Sequence, residues 1–93
     1  MKEINDELLD KYFDVTRRAL EMVKDNPWDE KRKEIADDYY RMAKDYFSDA
    51  GFFREKGDYV RSFGALNYAH AWLDAGARIG LFKVNDNQLF TVD

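Results

Sequence analysis

The chain has 93 residues, of which 45% are apolar, 16% aromatic and 37% charged, and its formal net charge is −4. This length allows one domain, and the mixture of apolar and charged residues indicates a folded, soluble chain rather than a disordered one. The acidic balance argues against nucleic acid as a partner, and the lack of cysteine excludes disulfides and thiolate metal sites. No stretch approaches the ~20 apolar residues of a membrane-spanning helix, and the N-terminus lacks a signal-peptide pattern, so we expect a cytoplasmic location.

The first predicted element is an amphipathic helix over about residues 5–24. Asn5 stands before its first turn and can act as the N-cap, because its side-chain oxygen can accept from free amides of that turn. Apolar residues at spacings of three and four form the inward stripe. This stripe consists of Leu8, Tyr12, Val15, Ala19, Met22 and Val23.

A second helix is predicted over about residues 27–56. Asn26 is suited to cap it, and Pro27 fits the first helical position, where a missing N–H costs nothing. Gly57 follows as a residue able to end the helix in the left-handed conformation. The inward stripe is predicted to comprise Trp28, Ile35, Tyr39, Met42, Tyr46, Ala50 and Phe53.

The third helix is predicted over about residues 58–79, capped by Asp58 and ended by Gly80. The remaining tail, residues 81–93, contains two short β-prone runs around a turn-rich triplet, which indicates either a β-hairpin or an extended segment lying on the helices. Short connections force successive helices to run antiparallel. The predicted fold is therefore all-α, an up-down-up three-helix bundle with a short C-terminal tail.

The third helix is unusual because it is apolar on two sides. One side carries Tyr59, Phe63, Leu66, Leu73 and Ala77, and the nearly opposite side carries Tyr68, Trp72, Ala75 and Ile79. Both sides must be covered, the second by the tail, by another copy of the chain or by a partner protein. The candidate partner-binding residues are Tyr68, Trp72, Ile79 and Phe82.

Polar side chains on this helix form a candidate slot for a ligand or partner, made of Asn67, His70, Asp74 and Arg78. His70 is the single histidine and could act as a general base, but a structural histidine in the core is the simpler interpretation. The sequence lacks the motifs of metal, phosphate or nucleophile sites, so we assign no catalytic residue, metal or cofactor.

The leading hypothesis is therefore a non-enzymatic protein-interaction or self-association module. The alternative is a small enzyme or nuclease-like domain that uses His70 with Asp74 or Arg78. A third possibility is an accessory subunit whose partner supplies the chemistry.

A family resemblance begins at the run Gly57-Asp58-Tyr59 and continues through Tyr68-Ala69-His70-Ala71-Trp72-Leu73-Asp74-Ala75-Gly76 to Gly80-Leu81-Phe82. Together with the ending Leu89-Phe90-Thr91-Val92-Asp93, this run resembles the short archaeal proteins grouped as domain-of-unknown-function family 357. The first two helices match that family in pattern alone. The resemblance implies a three-helix bundle, and it implies no activity and no catalytic residue.

Overall fold

A computed structural model describes residues 3–91 of the chain. Within these residues it contains three α-helices, which are α1 (Asp6–Asp25), α2 (Lys33–Glu55) and α3 (Tyr59–Arg78). The described part of the chain contains no strand, and a single isolated bridge pairs Trp28 with Phe82. The predicted all-α three-helix fold is confirmed. Val92 and Asp93, the end of the predicted tail, lie outside the described residues.

The helix ends follow the predicted end residues at four of five places, the exception being Asn26 before the second helix. The Asn5 side chain accepts from the Leu8 amide at 2.9 Å, and the Asp58 side chain accepts from the Arg61 amide at 3.1 Å. Gly57 and Gly80 both adopt positive φ, at 78° and 79°, which is the left-handed conformation that glycine enters without steric cost.

The predicted start of the second helix at residue 27 is wrong, because α2 begins at Lys33 after a 3-10 turn over Glu30–Arg32. The segment before it is extended: the Asp29 amide donates to the Leu81 carbonyl, and the Lys83 amide donates to the Pro27 carbonyl, both at 2.9 Å. The Trp28 indole N–H also donates to the Val23 carbonyl at 2.8 Å. Pairing with the start of the tail therefore replaces helix at Pro27 and Trp28.

The inward stripe predicted for the second helix is also wrong in part, since Ile35 is 49% exposed. Fully buried alanines instead follow each other at intervals of seven residues, and α3 faces them with its own small buried residues. The Ser62 hydroxyl of α3 donates to the Ala50 carbonyl of α2 at 2.8 Å, so the two backbones approach closely. Such small residues allow close packing and leave the large side chains on the flanks of the helix pair. The buried small residues are Ala36, Ala43 and Ala50 of α2 and Ser62, Ala65, Ala69, Gly76 and Ala77 of α3.

A polar cluster links the start of α1 to the end of α2 and the start of α3. Asp6 accepts hydrogen bonds from the Tyr59 hydroxyl and, at 3.1 Å, from Arg54, which also lies 2.7 Å from Asp10. Both hydrogen bonds lower the pKa of Asp6 below its ordinary value of 3.8, and the bond from Tyr59 has the larger effect. The ionised form of Asp6 is therefore the form that the folded chain prefers.

Residues 81–91 of the tail lie on the bundle as a mostly irregular segment. Of the two predicted alternatives, the tail therefore lies across the helices and does not form a hairpin in these residues. Leu81 and Phe82 are 0% and 1% exposed, and Leu89 and Phe90 are 5% and 3% exposed. Their side chains join the core cluster of Leu20, Val23, Leu73 and Ala77. The tail thus completes the core on the side that α1 and α3 share.

Candidate functional site

His70 of α3 is a partly buried residue that holds the tail. Its Nε2 lies 2.6 Å from the Leu89 carbonyl oxygen, and because a carbonyl can only accept, Nε2 carries the hydrogen. Its Nδ1 lies 3.4 Å from the hydroxyl of Thr16, a buried residue of α1. The ring also stacks on Phe90, at 6.4 Å between centroids. Both ring nitrogens are thus engaged by groups of the chain itself.

Asp74 and Arg78 continue this arrangement along α3. The Asp74 carboxylate accepts from the Thr91 backbone amide and, at 2.7 Å, from the Thr91 hydroxyl. Arg78 donates to the Thr91 carbonyl at 3.3 Å. Asn67, the fourth member of the predicted slot, lies exposed one turn before His70. The structure therefore brings three of the four predicted residues together, and what they bind is the tail.

This geometry determines what the slot can do chemically. The tail segment Leu89–Thr91 takes up the hydrogen-bonding capacity of His70 and Asp74, whereas Arg78 donates to the tail from an exposed position. Across residues 3–91 no group of three or more His, Asp or Glu side chains is placed to hold a metal ion. As the structure stands, the slot is an internal docking site for the tail.

The neighbouring side of α3, which points away from the core, remains uncovered by the tail. Tyr68 and Ile79 are each 48% exposed, and Val60 is 72% exposed. Between them the exposed positions are occupied by alanine and glycine, at the spacings of three and four that mark one face of a helix. We call this surface the open face, and it comprises Val60, Gly64, Tyr68, Ala71, Ala75 and Ile79.

Two of the predicted partner-binding residues are placed differently. Phe82 is 1% exposed and packs on Gly76 and Trp28, so it belongs to the core and its assignment to a partner surface is corrected. Trp72 is partly buried, with its ring 4.9 Å from that of Tyr39 in an edge-to-face arrangement. Trp72 therefore lies at the edge of the open face, with its ring packed against Tyr39 of α2.

The neighbouring flank of α2 widens the open face. Tyr39 and Tyr46 are partly buried, and the Tyr46 ring lies 4.4 Å from the Tyr68 ring. Ile35 extends the flank toward the start of α2. A shallow cleft of about 220 Å³ lies between the helices here, below the ≈ 300–1,000 Å³ typical of small-molecule pockets. The cleft is lined by Tyr39, Tyr68, Ala71, Trp72 and Ala75.

Sequence reasoning missed the part that Gly64 and Ala71 play in the open face. A Cβ placed on Gly64 would meet nothing within 4 Å, so packing inside the chain does not require glycine there. Glycine within a helix costs roughly 1 kcal/mol relative to alanine. The signal that could have shown how α2 and α3 pack was the repeat of alanines at seven-residue intervals in α2, at Ala36, Ala43 and Ala50.

Comparisons place the chain in a family without adding a function. Searches among curated proteins and among solved structures each gave no match. No helix of the described chain has the length and apolar character needed to cross a membrane. A family model described as "Protein of unknown function (DUF357)" matches residues 11–82, which is most of the chain and includes all of α2 and α3. The chain therefore belongs to the DUF357 family of proteins of unknown function.

Proposed function

We propose that this protein is a small non-enzymatic interaction module whose open face on α3 binds a protein partner. The observation that carries the proposal is the exposure of this face after the tail has docked elsewhere. Three large apolar side chains, Val60, Tyr68 and Ile79, are 72%, 48% and 48% exposed on one side of one helix. With the exposed Gly64, Ala71 and Ala75 between them they form one mostly apolar strip, and exposed apolar patches are typical of protein-interaction sites.

The shape of the open face also supports a protein partner. It lies along a helix and holds only a shallow cleft of about 220 Å³, whereas small-molecule sites are larger and more enclosed. Exposed Ala71 and Ala75 leave shallow depressions between Tyr68 and Ile79. A partner helix could place its own side chains in these depressions, because helix surfaces pack by fitting ridges into grooves.

The test compares two substitutions that add the same charge. Ala71→Glu places a carboxylate in the centre of the open face, and Ser48→Glu places one at an exposed position of α2 away from it. We expect immobilised wild-type protein and Ser48→Glu to retain the same partner from an extract of the cells that make the protein, and Ala71→Glu to lose it. Circular dichroism should show the same helix content for all three. Equal retention by Ala71→Glu and Ser48→Glu would refute a role for the open face.

A further inference from the structure

The tail is attached to the bundle at two separate places. At the first, backbone binds backbone, as where the Lys83 amide donates to the Pro27 carbonyl. At the second, side chains of α3 hold residues 89–91, which we call the strap. Within the described tail, every hydrogen bond of residues 84–88 goes to another residue of the tail, and most of these residues are exposed. The strap can therefore leave the bundle without disturbing the first attachment.

The strap is bound in the way that proteins bind extended peptides. Its two apolar side chains, Leu89 and Phe90, are 5% and 3% exposed and belong to the core cluster. Its backbone groups are held by polar side chains of α3. Backbone bonds of this kind supply affinity for an extended segment, and the sites for its side chains select one sequence over another. The three backbone pairs are the Leu89 carbonyl with His70, the Thr91 amide with Asp74 and the Thr91 carbonyl with Arg78.

We propose that the surface beneath the strap is a peptide-docking groove, which the strap occupies reversibly and which takes a segment of the same chemistry from another protein. The fitting segment carries two adjacent large apolar residues followed by serine or threonine, because the Thr91 hydroxyl also donates to Asp74 at 2.7 Å. The strap blocks the groove until it opens. The groove shares no residue with the open face, so this inference does not depend on the proposed function.

Opening of the strap alone should cost less free energy than unfolding the bundle. Detachment ends the burial of two apolar side chains and breaks four hydrogen bonds. Three of these bonds are exposed to water, which replaces them when the strap leaves. The rest of the cost is offset in part by the conformational freedom that the backbone of about six residues regains. Segments held by few buried contacts open locally while the remainder of a protein stays folded.

The reactivity of introduced cysteines tests whether the strap opens by itself, because the chain contains no cysteine. Phe90→Cys places a thiol in the strap, and Leu81→Cys places one, buried to a similar degree, in the first attachment. Asp74→Ala should raise the rate at which Phe90→Cys reacts with an aromatic disulfide reagent about fivefold, and Ser62→Ala, away from the strap, should leave it unchanged. Both should accelerate Leu81→Cys, which reacts only after global unfolding. Equal acceleration of Phe90→Cys by both would overturn the inference.

Binding of a synthetic peptide tests the groove itself. The probe is a fluorescent peptide with the sequence of residues 85–91, and the receptor is the full chain with Leu89→Ser and Phe90→Ser, whose own strap is weakened. Fluorescence anisotropy should show binding about tenfold tighter than to the wild type, where the tail competes at a high effective concentration. Adding Asp74→Ala should weaken binding about fivefold.

Circular dichroism establishes that the receptor is folded, and Leu89→Ala alone serves as the receptor if the double variant loses helix content. A folded receptor that binds no peptide would overturn the groove. Peptide binding that Asp74→Ala left unchanged would place the peptide elsewhere and would overturn it as well. Binding that depends on Asp74 and is weaker in the wild type supports both the groove and its blockage by the strap.

Discussion

Two glycines of α3 allow the same substitution to be made with opposite expected effects. Gly76 is buried beneath the Phe82 ring, and a Cβ on this residue would collide with the ring edge. Gly64 is exposed, and a Cβ there would meet nothing within 4 Å. Both residues are helical, so alanine improves the helix propensity in both cases and only the surroundings differ.

The magnitudes follow from these surroundings. Gly64→Ala should raise the free energy of unfolding by about 1 kcal/mol, which is the helical preference for alanine over glycine. Gly76→Ala gains less of that preference in the last turn and must displace an aromatic ring in a packed core, which costs about 1–3 kcal/mol. For a domain of this size 1 kcal/mol corresponds to roughly 4–8 °C in Tm. The Tm of Gly64→Ala should rise, and that of Gly76→Ala should fall by roughly 10 °C.

Thermal unfolding followed by circular dichroism at low protein concentration measures both changes. A smaller residue at position 82 should remove the penalty, so Gly76→Ala should destabilise Phe82→Leu much less than it destabilises the wild type. If Gly76→Ala were as stable as Gly64→Ala, the close contact between Gly76 and Phe82 would be refuted. The same result would contradict the docking of Phe82 on α3, which depends on that contact.

Three further predictions concern polar contacts and can be measured by urea unfolding. Asp74→Ala should lower the free energy of unfolding by about 1 kcal/mol, because it frees the amide and hydroxyl of Thr91; an unchanged midpoint would refute the docked tail. Ser62→Ala should cost about 1 kcal/mol through the loss of its buried bond to the α2 backbone; a neutral effect would contradict that close approach. Folding lowers the pKa of Asp6, so ionised Asp6 stabilises the folded chain. This stabilisation is fully present above the pKa of Asp6 in the unfolded chain, and it is lost as the pH falls through the lower pKa of the folded chain. The stability difference between wild type and Tyr59→Phe should therefore shrink below about pH 4, and a difference that grew there would contradict this assignment.

Features that depend on a few neighbouring residues could be predicted from the sequence. The caps at Asn5 and Asp58 require only a side-chain acceptor three residues before a free amide. The left-handed Gly57 and Gly80 follow from the absence of a Cβ. The two apolar sides of α3 follow from helical periodicity, and the structure shows that one side faces the core and the other is exposed.

Features that depend on distant parts of the chain could not be predicted in this way. Pro27 and Trp28 have a good helix-start sequence, but their backbone pairs with residues more than 50 positions later. Ile35 has the right spacing for an inward residue, but close contact through the α2 alanines rotates it outward. Phe82 has the hydrophobicity of an interface residue, and the space above Gly76 that receives it is visible only in the folded chain.

The chemistry of the tail explains why it covers one side of α3 and not the other. A segment without regular structure must find partners for its backbone amides and carbonyls, because buried unpaired groups are costly. His70, Asp74 and Arg78 supply such partners on one side, whereas the open face offers mainly alanine, glycine and apolar side chains. A helix has no such need, because its backbone amides and carbonyls form hydrogen bonds with each other within the helix. The open face is thus unsuited to the tail, whereas a helix could pack on it without leaving backbone groups unpaired.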